Sequence, residues 1–294
     1  MKDIYFSPLR YPGGKAILSS FFKDVLRLNN INGTYCEAYA GGAGAGLDLL
    51  FSNSINKIIL NDADYHIYAF WFSILNHTEE FIKAIRKDRV SITGWERQRR
   101  IYEQPDNYTI FEVGYSTFFL NRCNRGGILP NAGPIGGYDQ TGNFLINARF
   151  NKEFLINRIN NIGAQRQRIE IYNLDALRFL QDVVFDLDPL QTLIYLDPPY
   201  FVQGESLYLN FYKEKDHQLI EEHLIMFDNF NWIVSYDNVP EIKFLYNNYR
   251  KFSFNLNYSV HVSRIGNELM VFSDNLLLPT NFSIRKVNKR LICA

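Results

Sequence analysis

Cysteine is scarce in this chain. Cys36, Cys123 and Cys293 are the only three, they lie far apart, and none forms a CxxC pair. An odd, scattered set fits neither a disulfide framework nor a zinc site, which leaves a reducing compartment and no bound metal as the expectation. Long apolar runs are missing too. Nothing approaches the ~20 residues of a membrane span, and the opening Met1-Lys-Asp-Ile-Tyr-Phe6 lacks the apolar core of a signal peptide. A cytoplasmic protein with no membrane partner follows. Net charge is absent as a sum, 31 Lys and Arg against 31 Asp and Glu, which by itself argues mildly against a polyanionic partner. Internal repeats and low-complexity tracts are also lacking. The 294 residues, 47% of them hydrophobic, can bury a full core in one large domain or in one domain plus an insertion.

What is present is unevenly distributed. Between Ile82 and Glu170 stand fourteen bases and eight acids, so that segment carries +6 and the remainder −6. Such asymmetry is what a dedicated phosphate-contacting region leaves, although a solvated face leaves the same trace.

The most telling stretch is Gln191-Thr-Leu-Ile-Tyr-Leu-Asp-Pro-Pro-Tyr200. Thr192 to Leu196 is apolar without alternation, the pattern of a strand buried on both faces of a parallel sheet. Pro198 and Pro199 then stop it, because neither has an N–H to continue a ladder. The result is an acceptor-rich loop at the carboxyl end of a strand, where α/β sheets bind ligands. A planar exocyclic amine suits such a loop: its lone pair is delocalised into the ring, and acceptors gripping its hydrogens favour a more pyramidal, more nucleophilic nitrogen. Asp197 and the Pro198 carbonyl are the candidate acceptors. Tyr200 is the candidate ring on which a base swung out of its duplex would stack. A strand ending in a plain Pro-Pro turn is the competing explanation.

Upstream, Leu9-Arg-Tyr-Pro-Gly-Gly-Lys15 makes a tight turn into an amphipathic helix from Ala16 to Leu28. A lysine opening a helix opposes the macrodipole, so Lys15 is expected to have a partner elsewhere. Thr34 to Tyr39 reads as a strand that runs into Ala40-Gly-Gly-Ala-Gly-Ala-Gly46 and a helix. Glycine at that junction allows close backbone approach to a nucleotide-like ligand. Gly42, Gly44 and Gly46 do not complete GxGxxG, which excludes a dinucleotide fingerprint. Lys57 to Asp62 reads as a second strand ending in an acid, placed where a carboxylate reaches ribose hydroxyls. Asp64 competes with Asp62, and either suits a cap for the helix Tyr65 to Leu75.

From Asn76 to Glu112 the pattern is helical and charged. Ser116 to Gly137 is rich in Gly, Pro and Asn and is expected to be a loop on a rigid base. Asn121, Arg122, Asn124 and Arg125 have the side-chain geometry that reads base edges or binds phosphate, and are the candidate DNA contacts. After a helix near Lys152 to Ile162, Ile169 to Asp175 reads as a strand ending in an acid able to accept from an adenine amino group. His217 lies near the start of a further helix as a capping or packing residue, and Asn231 to Asp237 reads as an apolar strand. Tyr258 to Asp274 reads as a hairpin centred on Arg264-Ile-Gly-Asn267.

Six motifs in order carry a resemblance: Arg10-Tyr-Pro-Gly-Gly-Lys15, Glu37-Ala-Tyr-Ala-Gly-Gly42, Asn61-Asp62, Phe119-Leu-Asn-Arg122, Asp197-Pro-Pro-Tyr200 and Val234-Ser-Tyr236. Together they resemble the Dam-type (D12 class) adenine-N6 DNA methyltransferases over nearly the whole chain. The resemblance implies an α/β, Rossmann-like class I S-adenosylmethionine-dependent methyltransferase, with residues 1–75 and 165–294 catalytic. Residues 76–164 would form an inserted, mainly helical target-recognition domain. It implies S-adenosylmethionine as cofactor, S-adenosylhomocysteine as product and no metal. Tyr11, Lys15, Asp62 and Asp197 match positions that touch the cofactor or shape its pocket, and Glu37, Gly41 and Asp175 line the same site. Double-stranded DNA is the implied partner, with a cognate restriction endonuclease as a candidate second one. Methylation of cytosine N4 or of RNA adenine, and DNA binding without turnover, are the alternative functions. Ala38, Tyr39 and Ala43 depart from the family's usual Glu-Pro-Phe and glycine pattern. The loop from Asn121 to Gly137 departs from GATC-reading members, so no recognition sequence is implied.

Overall fold

The computed structural model describes residues 6–10, 14–201, 212–259 and 263–280. Seven strands, β1 (Thr34–Glu37), β2 (Lys57–Asn61), β3 (Ile169–Tyr172), β4 (Thr192–Leu196), β5 (Asn231–Asp237), β6 (Arg250–Ser259) and β7 (Ser263–Phe272), form one sheet. Their order is β3-β2-β1-β4-β5-β7-β6, parallel from β3 to β5, with β7 antiparallel to both its neighbours. Strand β4 has every residue buried, as an unbroken apolar run between two parallel neighbours requires.

Alternation along the strands sorts side chains to two faces. Tyr35, Ile58, Leu60, Leu193, Tyr195 and Ile233 pack with Phe21, Phe22 and Val25 of α1 (Ser19–Leu28), with Leu47 and Leu50 of α2 (Gly44–Phe51) and with Phe70 and Ile74 of α3 (Tyr65–Asn76). Cys36, Ile59, Ile194, Leu196, Trp232 and Val234 meet the opposite cover. That cover is α8 (Ala176–Phe179, continued by a π turn), α9 (Glu214–Ile225) and α10 (Pro240–Leu245).

Between β2 and β3 lie α4 (Thr78–Lys87), α5 (Ile92–Glu103), α6 (Ile110–Cys123) and α7 (Lys152–Gly163). Phe81 of α4 and Phe118 of α6 reach Phe70 of α3, each with ring centroids 6.1 Å away, so these helices share one core with the sheet's helical cover. Helix α6 starts at a capping box between Thr109 and Glu112. It lies so close to α3 that a Cβ on Gly114 would sit 2.3 Å from the Ala69 carbonyl oxygen. The expected loop from Ser116 therefore begins later: residues through Cys123 belong to α6, because packing on α3 outweighs their mixed composition.

The hairpin also differs from its expected centre. Ser259 pairs with Ser263, so Arg264 to Asn267 lie within β7 and the connection falls at 260–262, outside the described residues. Among the described residues no helix is long and apolar enough to cross a membrane.

Candidate active site

The carboxyl ends of the parallel strands gather the acids. Asn61, fully buried at the end of β2, donates through Nδ2 to the Ala38 and Leu174 carbonyls at 3.0 Å each and accepts from the Leu174 N–H at 3.0 Å. One amide thus ties the turns after β1 and β3 to β2. Beside it, Asp62 accepts from the Gly41 N–H at 2.8 Å and from the Asp64 N–H at 3.0 Å, one oxygen for each. Gly41 sits at φ 45° and its carbonyl accepts from Trp71 Nε1 at 2.9 Å, which fixes the glycine turn on α3. Ala43 is held at φ 46° as the residue before α2, a left-handed conformation that costs about 1 kcal/mol over glycine. The fold absorbs that cost at the turn into α2.

Glu37 lies beneath the same turn, 4% exposed, accepting from the Gly46 N–H at 3.0 Å. Burial pushes its carboxyl up to about 8. Asp62 is pushed up to about 7, by burial first and by Asp64 second. A carboxylate so placed gains from hydroxyl donors, and each Asp62 oxygen keeps a lone pair beyond its backbone bond. These residues therefore fit the ribose of S-adenosylmethionine. Asp64 is taken by the other role, capping α3 through the His66 N–H at 2.9 Å. Asp175 lies exposed just past β3 and caps α8 by accepting from the Leu177 N–H at 2.9 Å. Tyr11 lies outside the described residues.

The second half of the edge is an ionic cluster. The Lys15 ammonium, 5% exposed, donates to Tyr200 Oη at 2.8 Å and to both Glu268 oxygens at 3.0 and 3.1 Å, and lies 3.3 Å from Asp197 Oδ1. The Tyr200 hydroxyl also donates to Glu268 Oε1. Ser235 Oγ donates to Asp197 Oδ1 at 2.6 Å and pairs with the Tyr195 hydroxyl at 2.7 Å. Lys15 and Ser235 thus both use Oδ1, and no described residue bonds Oδ2. Burial raises the Asp197 carboxyl, with Lys15 and Ser235 pulling the other way. Burial would lower Lys15, but Asp197, Tyr200 and Glu268 outweigh it and raise it well above its ordinary value.

Lys15 thus finds the partner its position at a helix start demanded. Tyr200 differs from expectation: its hydroxyl is bound within the cluster, so the residue offers more than a ring. Glu268 was not legible as a site residue. The available signal was a lone acid heading the apolar run Leu269 to Phe272 of β7, which pairs opposite Asp237.

The four candidate DNA contacts divide, and three are corrected. Asn121, 1% exposed, accepts from the Arg10 N–H at 2.7 Å and donates to the Arg10 and Gly127 carbonyls at 2.9 and 2.8 Å. Asn124, fully buried, accepts from Trp95 Nε1 at 2.7 Å and donates to the Ile128 carbonyl at 2.8 Å. Arg122, 8% exposed, donates to the Arg149 carbonyl at 2.7 Å. Their polar groups serve the chain's own backbone and the Trp95 indole, and they are not placed to read bases. Arg125 alone is exposed, lining an open concavity with Gly137, Tyr138, Asn143 and Phe144. His217 packs inside, with Nδ1 3.2 Å from the Tyr236 hydroxyl.

A sheet of this order with an acidic carboxyl edge, a glycine turn after β1 and an Asp-Pro-Pro-Tyr loop after β4 defines a Rossmann-like S-adenosylmethionine-dependent methyltransferase. The chain belongs to the D12 class N6 adenine-specific DNA methyltransferase family, which matches residues 11–263. No curated protein matches it. Two solved structures of the rRNA methyltransferase aviRa from Streptomyces viridochromogenes are similar at 12% identity. One covers 90% of this chain and 86% of its own with a TM-score of 0.38, the other 91% and 89% with 0.39. Likeness at that level carries nothing about substrate.

Proposed function

We propose that this enzyme methylates adenine N6 at a specific site in duplex DNA, acting on a base flipped out of the helix beside Asp197-Pro-Pro-Tyr200. The observation that carries the reading is the asymmetric Asp197 carboxylate, 21% exposed, with Oδ1 bonded to Ser235 and Lys15. Oδ2 is left to accept an N–H of the amine. The Pro198 carbonyl is the second acceptor. Bound S-adenosylmethionine supplies an electrophilic methyl, and Asp62, with Glu37 and Gly41 shaping the turn, would hold its ribose end. Transfer would break the donor's sulfur–methyl bond as N6 bonds the carbon, releasing S-adenosylhomocysteine, and the nitrogen, then cationic, would lose one N–H proton to solvent. Asp197 accepts the hydrogen bond to that proton and stabilises the developing charge, with positioning and electrostatics carrying the rate. Lys15 and Glu268 fix the Tyr200 ring, on which the flipped base would stack.

Residues 76–164 are the segment assigned to DNA. Within it Arg125 stands beside Tyr138 and Phe144, exposed by 60% and 66%, on a loop held by Gln140 Nε2 to the Ile135 carbonyl at 2.9 Å and by the Ile146 N–H to Gln140 Oε1 at 2.8 Å. An exposed arginine flanked by aromatics on a rigid loop suits a groove better than open solvent. Site-specific methylation would protect DNA from a restriction endonuclease of the same specificity. Incubation with tritiated S-adenosylmethionine and duplex DNA, single-stranded DNA or RNA, followed by nucleoside analysis, tests the reading. Label in N6-methyladenine from duplex DNA is expected; label in cytosine, label in RNA alone, or no label overturns it.

A further inference from the structure

Glu268 is bonded to the catalytic loop yet cannot reach a substrate. It is 1% exposed, whereas the Asp197 side chain is 21% exposed. Lys15 stands between the two carboxylates and is nearer to Glu268, at 3.0 and 3.1 Å, than to Asp197, at 3.3 Å. A lysine ammonium has three donors and no acceptor. Here they meet the Glu268 carboxylate, the Tyr200 hydroxyl and Asp197 Oδ1.

Without Glu268, one buried cation would act on Asp197 alone. Its attraction would hold Asp197 ionised, but it would also draw electron density from the oxygen that must accept the amine N–H. A second carboxylate on the same ammonium limits that pull while leaving the cation in place. Resting on the reading above, we infer that Glu268 is a positioning residue for methyl transfer: by sharing the Lys15 ammonium and anchoring the Tyr200 hydroxyl, it preserves the acceptor strength of Asp197. The groups facing this cluster among the described residues are Tyr35 and Glu37 from β1, Tyr195 from β4, Tyr200 from the loop and Asp237 opposite Glu268 on β5. Lys15 is the one cation among them.

The test sets opposite charge changes against each other. Removing the cation in Lys15→Met should make Asp197 harder to ionise, and removing the second carboxylate in Glu268→Gln should make it easier. Carboxyl carbon-13 NMR titration of the ligand-free protein should show Asp197 titrating higher in Lys15→Met and lower in Glu268→Gln. Each displacement should be roughly one pH unit or more, as expected of a unit charge at this range. The double variant Lys15→Met/Glu268→Gln should fall between them. The acid limb of the single-turnover methylation rate should move in the same two directions. The plateau rate of Glu268→Gln should drop about 10- to 100-fold, the range for groups that orient a reacting ligand.

A structural role alone predicts slower, less stable variants with the Asp197 titration and the acid limb unmoved. That result, in variants that still melt cooperatively, overturns the inference. Opposite NMR displacements in a protein that methylates no adenine leave the coupling standing and overturn the proposed function instead.

Discussion

The carboxyl edge of the sheet and the end of α6 with the turn after it are both polar and both bounded by glycines, yet their side chains face opposite ways. At the edge, Lys15, Asp197, Glu268 and Tyr200 bind one another, and one Asp197 oxygen is left toward the site. At the end of α6 and just past it, Asn121 and Arg122 bind main-chain groups, and Asn124 binds the Trp95 indole and a carbonyl, all three nearly or fully buried. The comparison teaches a rule. Side chains bonded to the chain's own backbone hold a shape, whereas ionisable groups bonded to one another hold a charge that chemistry can use. Asn121 adds a second lesson, because by gripping Arg10 on both sides of its peptide it physically joins the Arg10 to Lys15 motif to α6.

The comparison breaks if the edge proves dispensable. Asp197→Ala should lower single-turnover methyl transfer about 10²–10³-fold while the fold stays intact, since it removes an acceptor at the reacting nitrogen. Near-normal turnover in a folded variant would remove the site from this loop.

Asn121→Ala should act on stability rather than on sequence preference. It leaves the Arg10 N–H and two carbonyls without their partner, at a cost of roughly 3 kcal/mol in chemical denaturation. A stable variant with altered site preference would return Asn121 to the base-reading role. Arg125→Ala should do the reverse. Being exposed, it should change stability by no more than about 0.5 kcal/mol and cost roughly 1–3 kcal/mol of discrimination at one base pair. Binding curves on cognate and single-substituted duplexes decide this, and an unchanged cognate-to-mismatch ratio places recognition elsewhere.

A further test concerns pH and sharpens the contrast from beneath the glycine turn. The Glu37 carboxyl ordinarily ionises near 4.5 and is pushed to about 8 in the folded chain. The folded state therefore holds this proton more tightly than the unfolded state. The stability it contributes is full below pH 4.5 and is lost as pH rises toward about 8. Glu37→Gln should flatten that decline, measured as unfolding free energy across this range, and an unchanged slope would mean that Glu37 ionises normally.

Much of the scaffold was legible from pattern. Thr192 to Leu196 and Asn231 to Asp237 are strands over the residues their apolar runs mark, and Tyr65 begins the helix that Asp64 caps. Local chemistry decides such elements, since prolines, caps and apolar periods act within a few residues. The end of α6 was hidden because packing against α3 through Gly114 overrode a loop-like composition.

By itself the sequence determined which family of fold this chain adopts, that Asp197 ends a buried strand before two prolines, and that Lys15 required a partner. Each follows from backbone restriction or charge near the residue in question. Only the tertiary structure decided who that partner is, for Glu268 lies 253 positions away and reaches Lys15 through β7 being placed beside β5. It alone also decided that Asn121, Arg122 and Asn124 face inward while Arg125 faces out. An amide or guanidinium has the same donors for a base edge as for a peptide, so what it binds is settled by what surrounds it.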